Sequence, residues 1–175
     1  YPVLRNEWER DYYLKRNLDG SNGYPGCIFM ENINKPDFSD PVTILYGHNM
    51  KNKTMFAQLH SFRNDAGFRE AHRYIYTYRP DSVSMYEIVI CSAYTDAHLL
   101  LRDFEDDGSG TYRYMGSRSD DQTAVWNDLK DYQDARAYFS DEPLTEDDKC
   151  VVLSTCGSGR QRVVAVGKLL FTHWY

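Results

Sequence analysis

Three residues in this chain could act together on a carbonyl: Cys156, Arg162 and His48. Cys156 closes the apolar, β-branched run Val151-Val152-Leu153-Ser154-Thr155, and Arg162 opens a second such run, Val163-Val164-Ala165-Val166. Short runs of this kind read as buried strands. The loop between them carries Gly157, Ser158 and Gly159, so the two strands can be antiparallel neighbours with thiol and guanidinium side by side at the sheet rim. A third short strand, Ile44-Leu45-Tyr46, runs through Gly47 into His48. A thiolate is a nucleophile and a nearby cation favours it. An imidazole can protonate a leaving amine and later deprotonate an incoming one. Arginine keeps its proton, so its work is to bind a carbonyl or stabilise an oxyanion. Taken as spacing alone, the same residues also fit a small core cysteine, a loop histidine and a surface arginine.

The surrounding residues carry a resemblance. Leu153-Ser154-Thr155-Cys156 followed by Arg162-Val163-Val164 resembles the signature of the sortase family, a Leu-x-Thr-Cys strand followed by an arginine that opens the next strand. Tyr46-Gly47-His48-Asn49-Met50-Lys51 is similar to the histidine motif of class B sortases, and Gly26-Cys27-Ile28-Phe29-Met30-Glu31-Asn32 to the strand that precedes it. The pieces come in the family's order over nearly the whole chain.

The resemblance implies a cysteine transpeptidase in which Cys156 attacks a peptide carbonyl in a C-terminal sorting motif, His48 serves as acid and base, and Arg162 holds the oxyanion. A backbone N–H of Cys156 or Gly157 would complete the oxyanion hole. It also implies that Tyr46 and Ser154 line the substrate groove, with Thr155 orienting the motif or packing below the peptide. The implied partners are the sorting-signal peptide of a surface protein, of Asn-Pro-x-Thr type, and an amine acceptor from a peptidoglycan cross-bridge or a pilin lysine. No cofactor is implied. Members sit on the outer face of a Gram-positive membrane, held by an N-terminal helix. The chain starts at Tyr1, without methionine, and the resemblance implies such an anchor upstream of it. Two departures bear on substrate choice: only five residues separate Cys156 from Arg162, and Gly157 follows the cysteine. A plain cysteine protease shares the Cys/His pair but has no need of Arg162, and the papain-type local signature is absent. A non-catalytic binding domain of the same ancestry is the other alternative.

The elements must present these residues at strand ends. At 175 residues, 42% apolar and 15% aromatic, the chain has enough material for one domain with a core, residues 1–175. A net charge of −6 without a basic cluster argues against nucleic acid as partner. No apolar run is long enough to span a bilayer. Leu4, Trp8 and Tyr12 recur at helical spacing and predict an N-terminal helix within residues 1–18, over 4–18, and the resemblance implies that it packs on a barrel. Strands are expected at Cys27–Met30, Thr43–Tyr46, Tyr74–Tyr78, Val83–Tyr94, Lys149–Cys156 and from Arg162 to about Thr172. Thr54 is expected to cap a helix carrying Phe56, Leu59 and Phe62, with another turn over Phe68–His72. Ser119 and Gln122 form a capping box for a long helix to about Tyr138, just before the cysteine strand. The stretch Asp103–Gly110 is acidic but lacks the alternating ligand pattern of a calcium loop and reads as a solvated loop. The sum is a mostly β, mixed, mainly antiparallel barrel of seven to eight strands, with an N-terminal helix and a long helix before the cysteine strand.

The other cysteines and histidines carry less. No Cys-x-x-Cys pair suggests zinc. Cys150 and Cys156 stand ~20 Å apart along one strand, beyond the reach of about 7 Å that a disulfide allows. Cys27 and Cys91 lie inside apolar strands and read as core. His60, His72, His98 and His173 have no ligand partner at metal spacing and are placed away from the cysteine motif.

Overall fold

The computed structural model describes residues 1–95, 104–106, 112–114, 139–140, 144–145, 147–157 and 161–175. The β-branched runs form the strands expected of them. These are β2 (Ile28–Met30), β3 (Val42–Tyr46), β4 (Tyr74–Tyr78), β5 (Ser82–Thr95), β8 (Cys150–Cys156) and β9 (Gln161–Trp174). A two-residue β1 (Val3–Leu4) precedes them. Two short helices, α1 (Leu59–Asn64) and α2 (Ala66–Ala71), lie between β3 and β4. A separate ribbon pairs β6 (Phe104–Asp106) with β7 (Tyr112–Tyr114).

The main sheet has seven strands in the order β1-β2-β3-β8-β9-β5-β4. It is mixed: β1 with β2 and β3 with β8 are parallel, and the remaining pairs are antiparallel. It curls into a half-barrel with β1 and β4 as its edges. The central strands are buried on both faces, which is why β3 and β8 read as unbroken apolar runs rather than alternating ones. One face packs Phe29, Val42, Ile44, Val89, Ile90, Cys150, Val152, Val164 and Val166. The other packs Leu45, Val151, Leu153, Val163 and Ala165 under Leu59 and Phe62 of α1. Edge strand β4 alternates instead: Tyr74, Tyr76 and Tyr78 are exposed, while Ile75 is partly buried.

The loop that delivers β3 is held by a buried amide. Asn34 Nδ2 donates to the Val42 carbonyl (2.8 Å) and to Asp40 (3.1 Å), and Ile44 N donates back to Asn34 Oδ1 (2.8 Å). This satisfies backbone groups that the short β2 cannot reach.

The N-terminal helix over residues 4–18 does not form. Leu4 belongs to β1, opposite Phe29, and Trp8 is 91% exposed, so the expected apolar stripe is not buried as a stripe. Asn6 Oδ1 accepts from Trp8 N (2.9 Å) and Glu9 N (2.8 Å), a local bond that competes with helix formation. What remains is a single 3-10 turn, Tyr12–Lys15, whose Tyr13 and Leu14 pack on the core. Thr54 is no helix cap either. Its N–H and hydroxyl both bond Asn52 Oδ1, the backbone passes through left-handed conformations at Lys53 and Met55, and α1 starts only at Leu59. Asp65 is the working cap: its carboxylate accepts from Phe68 N at the start of α2. In the acidic stretch Asp103–Gly110, Phe104–Asp106 is a strand rather than loop. The helix expected over 119–138 lies outside the described residues.

Candidate active site

The register brings the three candidate residues to one end of the sheet. Tyr46 of β3 stands opposite Ser154 of the parallel β8, and the ladder continues one step with Gly47 N donating to the Ser154 carbonyl (3.1 Å). His48, two residues past Tyr46, and Cys156, two residues past Ser154, therefore stand at the same end of the sheet. On the other side of β8, Cys156 is directly opposite Arg162 of β9. Strand alternation puts Tyr46, Ser154, Cys156, Arg162 and Val164 on one face.

Each of the three is held differently. Cys156 is exposed where the buried β8 ends. Cys91 and Cys150, in contrast, are buried, and loss of hydration pushes both thiols up to about 12. All four cysteines are free, as strand geometry requires of Cys150 and Cys156. His48 is half-buried, with its Nε2 3.0 Å from the Leu14 carbonyl and its ring 5.4 Å from that of Tyr24. A carbonyl only accepts, so Nε2 carries the proton and Nδ1 is the atom left to exchange one. Arg162 lies over the Tyr46 ring, 5.9 Å from its centroid. Its Nε is buried without a hydrogen-bond partner among the described residues, an unused donor beside the thiol.

Beneath them is a polar support that sequence reasoning missed. The Tyr46 hydroxyl donates to Glu31 Oε2 (2.8 Å), and Glu31, 1% exposed, also accepts from Asn32 N (3.0 Å) with Arg10 Nε at 3.7 Å. Burial, with the Glu31 carboxylate alongside, holds the Tyr46 phenol well above its ordinary range, so it stays a donor. Tyr46, Ser154 and Thr155 are all buried; Tyr46 and Ser154 share the face of Cys156, and Thr155 lies on the opposite one. The Gly157 N–H, a candidate for the oxyanion hole, is committed to the Gln161 carbonyl at 2.8 Å. It closes the β8–β9 turn and is not free for a substrate oxygen.

His60 is the second omission, and here the expectation fails outright. It sits beside the cysteine motif, with Nε2 3.0 Å from the Cys156 carbonyl and 3.0 Å from Asn49 Nδ2. Asn49 donates to the same carbonyl at 3.2 Å. Asn49 directly follows His48 and could have been noticed as a polar residue at a strand end. His60 gave no local signal, because only the packing of α1 brings it there. Among the described residues no group of three or more His, Cys, Asp or Glu side chains is placed to hold a metal ion.

A family model described as the sortase domain matches residues 2–170. The chain belongs to the sortase family. Its relatives are of class B. The sortase B of Listeria monocytogenes is 29% identical over 174 residues, 97% of this chain and 64% of the relative. That of Staphylococcus aureus is 27% identical over 177 residues, 97% of this chain and 65% of the relative. This sortase thus spans just under two thirds of the length of these curated relatives. Among solved structures, Clostridium perfringens sortase B superposes with a TM-score of 0.71 at 27% identity, covering 98% of this chain and 87% of that one. The mostly β, mixed and mainly antiparallel architecture read from the sequence is that of the class B sortase fold, and the Cys156, His48 and Arg162 motifs lie inside the matched region.

Proposed function

We propose that this chain is the single catalytic domain of a cysteine transpeptidase, acting on the C-terminal sorting motif of surface proteins at the outer face of a Gram-positive membrane. The observation that carries the reading is an exposed Cys156 directly opposite Arg162, at the sheet end where β3 runs on to His48. The Cys156 thiolate attacks the motif's carbonyl carbon, and the charge that develops on its oxygen is met by the unused Arg162 donor. The C–N bond breaks as His48, protonated, gives its Nδ1 proton to the departing amine. A thioester holds the acyl half. An acceptor amine then attacks, His48 takes its proton, and the Cys156 thiolate leaves as the new amide forms. Tyr46 and Ser154 support the peptide groove from below, Tyr46 by carrying the Arg162 guanidinium on its ring, and Thr155 orients the motif from the opposite face of β8. An Asn-Pro-x-Thr-like motif, with a peptidoglycan cross-bridge amine or a pilin lysine as acceptor, is the substrate pair that class B membership favours. Among the described residues no helix is long and apolar enough to cross a membrane.

The test uses two fluorogenic peptides, one containing Asn-Pro-Gln-Thr and one Leu-Pro-x-Thr-Gly, with and without triglycine. Wild type and Cys156→Ala are followed by product analysis and intact mass. Cleavage, ligation to triglycine and a thioester adduct are expected for the first peptide, and all should vanish in the variant. Hydrolysis that triglycine does not divert would reduce the reading to a protease. No cleavage and no adduct with either peptide would overturn it.

A further inference from the structure

The nucleophile sits where β8 outlasts its neighbour. In the β3–β8 ladder Gly47 N bonds the Ser154 carbonyl. Two residues further the same pattern would bring the backbone N–H of residue 49 to the Cys156 carbonyl. The chain turns away first: Asn49 forms a bridge with Met55, and the His48 carbonyl accepts from Phe56 N. The Cys156 carbonyl, which faces this side, is thereby deprived of its strand partner. Two side chains take the place of the missing N–H, Asn49 Nδ2 at 3.2 Å and His60 Nε2 at 3.0 Å.

We propose that Asn49 and His60 are positioning residues for the nucleophile, acting through the Cys156 carbonyl rather than on substrate. The inference rests on the transpeptidase reading only for its catalytic consequence. Holding the carbonyl fixes the peptide plane that follows Cys156 and, with it, the direction of the Cα–Cβ bond that carries Sγ. It also offsets a charge. The carbonyl oxygen is the negative end of a dipole on the residue that must bear a thiolate, and donation onto it makes that thiolate less costly. His60 can serve in either of two ways. With a proton on Nε2 it donates to the carbonyl directly; without one, Nε2 accepts from Asn49 and orients the amide whose other hydrogen reaches the carbonyl. Both end on the same atom.

The helix that carries His60 is anchored in the core. The flanking Leu59 and Phe62 are buried in the core, and the Leu59 carbonyl is met by Cys91 Sγ of β5 at 3.6 Å. His60 lines a cavity of about 100 Å³ together with Arg63 of its own helix, Gly157 and the Gln161–Val163 end of β9. Among the described residues Arg63 and Arg162 are the charged groups lining that cavity. The clamp therefore joins α1, the segment after β3 and the end of β8 at the reacting residue.

The experiment compares His60→Ala, His60→Gln and Asn49→Ala by the rate of iodoacetamide alkylation at Cys156 and by kcat and KM for peptide cleavage, with circular dichroism as a check on folding. His60→Ala and Asn49→Ala should each lower both the alkylation rate and kcat by about tenfold, the scale of one lost hydrogen bond, with KM within about twofold. His60→Gln, whose amide can donate or accept, should recover most of the loss. Unchanged rates in folded His60→Ala would overturn the proposal. So would a Gln variant that falls as far as Ala, because packing alone would then account for His60. Alkylation needs no sorting peptide, so a wild type that processes neither peptide would sink the transpeptidase reading while the alkylation series still decides this one.

Discussion

Arg162 and Tyr46 show how much of this site depends on the direction of single donors. Arg162 can offer a planar fork to a substrate oxygen while lying over the Tyr46 ring. Lysine keeps the charge but loses both the fork and the stacking plane. Arg162→Lys should therefore lower kcat by roughly a hundredfold or more, the usual worth of an oxyanion donor, and change KM little; steady-state kinetics with the Asn-Pro-Gln-Thr peptide measure the split. Tyr46→Phe separates support from chemistry. It keeps the ring under Arg162 but removes the hydroxyl that donates to Glu31, leaving a buried carboxylate one partner short. The expected cost is about 1–3 kcal/mol of stability, read by urea denaturation, with kcat affected far less than by Arg162→Lys. A large KM rise with unchanged stability would instead make Tyr46 a direct substrate contact.

At the scale of elements, the N-terminal segment matters more than its brief regular structure implies. The Tyr12–Lys15 turn supplies the Leu14 carbonyl that decides which His48 nitrogen holds the proton. Its seat depends on Gly26, which has φ +70 and an absent Cβ that would stand 2.3 Å from the Tyr13 carbonyl oxygen and 2.6 Å from that of Leu14. Gly26→Ala cannot be accommodated without moving the turn off β2. Left-handed backbone alone costs a non-glycine residue about 1–2 kcal/mol. The variant should lose peptide cleavage by about tenfold or more, because that cost is about one decade in an equilibrium and the displaced Leu14 carbonyl frees the His48 ring. The turn is only four residues long, so far-ultraviolet circular dichroism should change little. Full activity in Gly26→Ala would show that His48 is oriented without Leu14.

For the whole molecule, the buried thiols set an alkaline limit. Burial raises the Cys91 and Cys150 thiols from 9.0 to about 12. Above pH 9 the unfolded chain releases these protons while the folded protein retains them, so the unfolded state gains and stability falls as pH rises from 9 towards 12. Burial raises the phenols of Tyr46 and Tyr86 in the same direction. The urea midpoint should fall between pH 8 and pH 10.5, and replacing Cys91 and Cys150 by alanine should flatten that fall. In native protein at pH 8, iodoacetamide should reach Cys156 well before Cys91 or Cys150, and the latter two only on denaturation. A midpoint independent of pH across this window would place those thiols in contact with water.

What the sequence by itself determined is the strands β2, β3, β4, β5, β8 and β9 and which reactive residue types stand at their ends. β-branched runs bounded by turn residues identify β3, β8 and β9 without knowledge of their neighbours. Cys156 and Arg162 flank one short hairpin, so their meeting is a local fact. His48 was legible because it ends a strand in a recognisable motif. The tertiary structure alone decided which polar group meets which. The Leu4, Trp8, Tyr12 spacing fits a helix, but the pairing of Leu4 with β2 and the bonds to Asn6 satisfy that backbone otherwise. Spacing along the chain sets the face a residue occupies, not the partner across a long loop. Thus Glu31 under Tyr46, Leu14 on His48, and His60 with Asn49 on the Cys156 carbonyl could not be read in advance. Each joins segments whose approach is set by the parallel register of β3 and β8 and by the packing of α1 and the N-terminal turn.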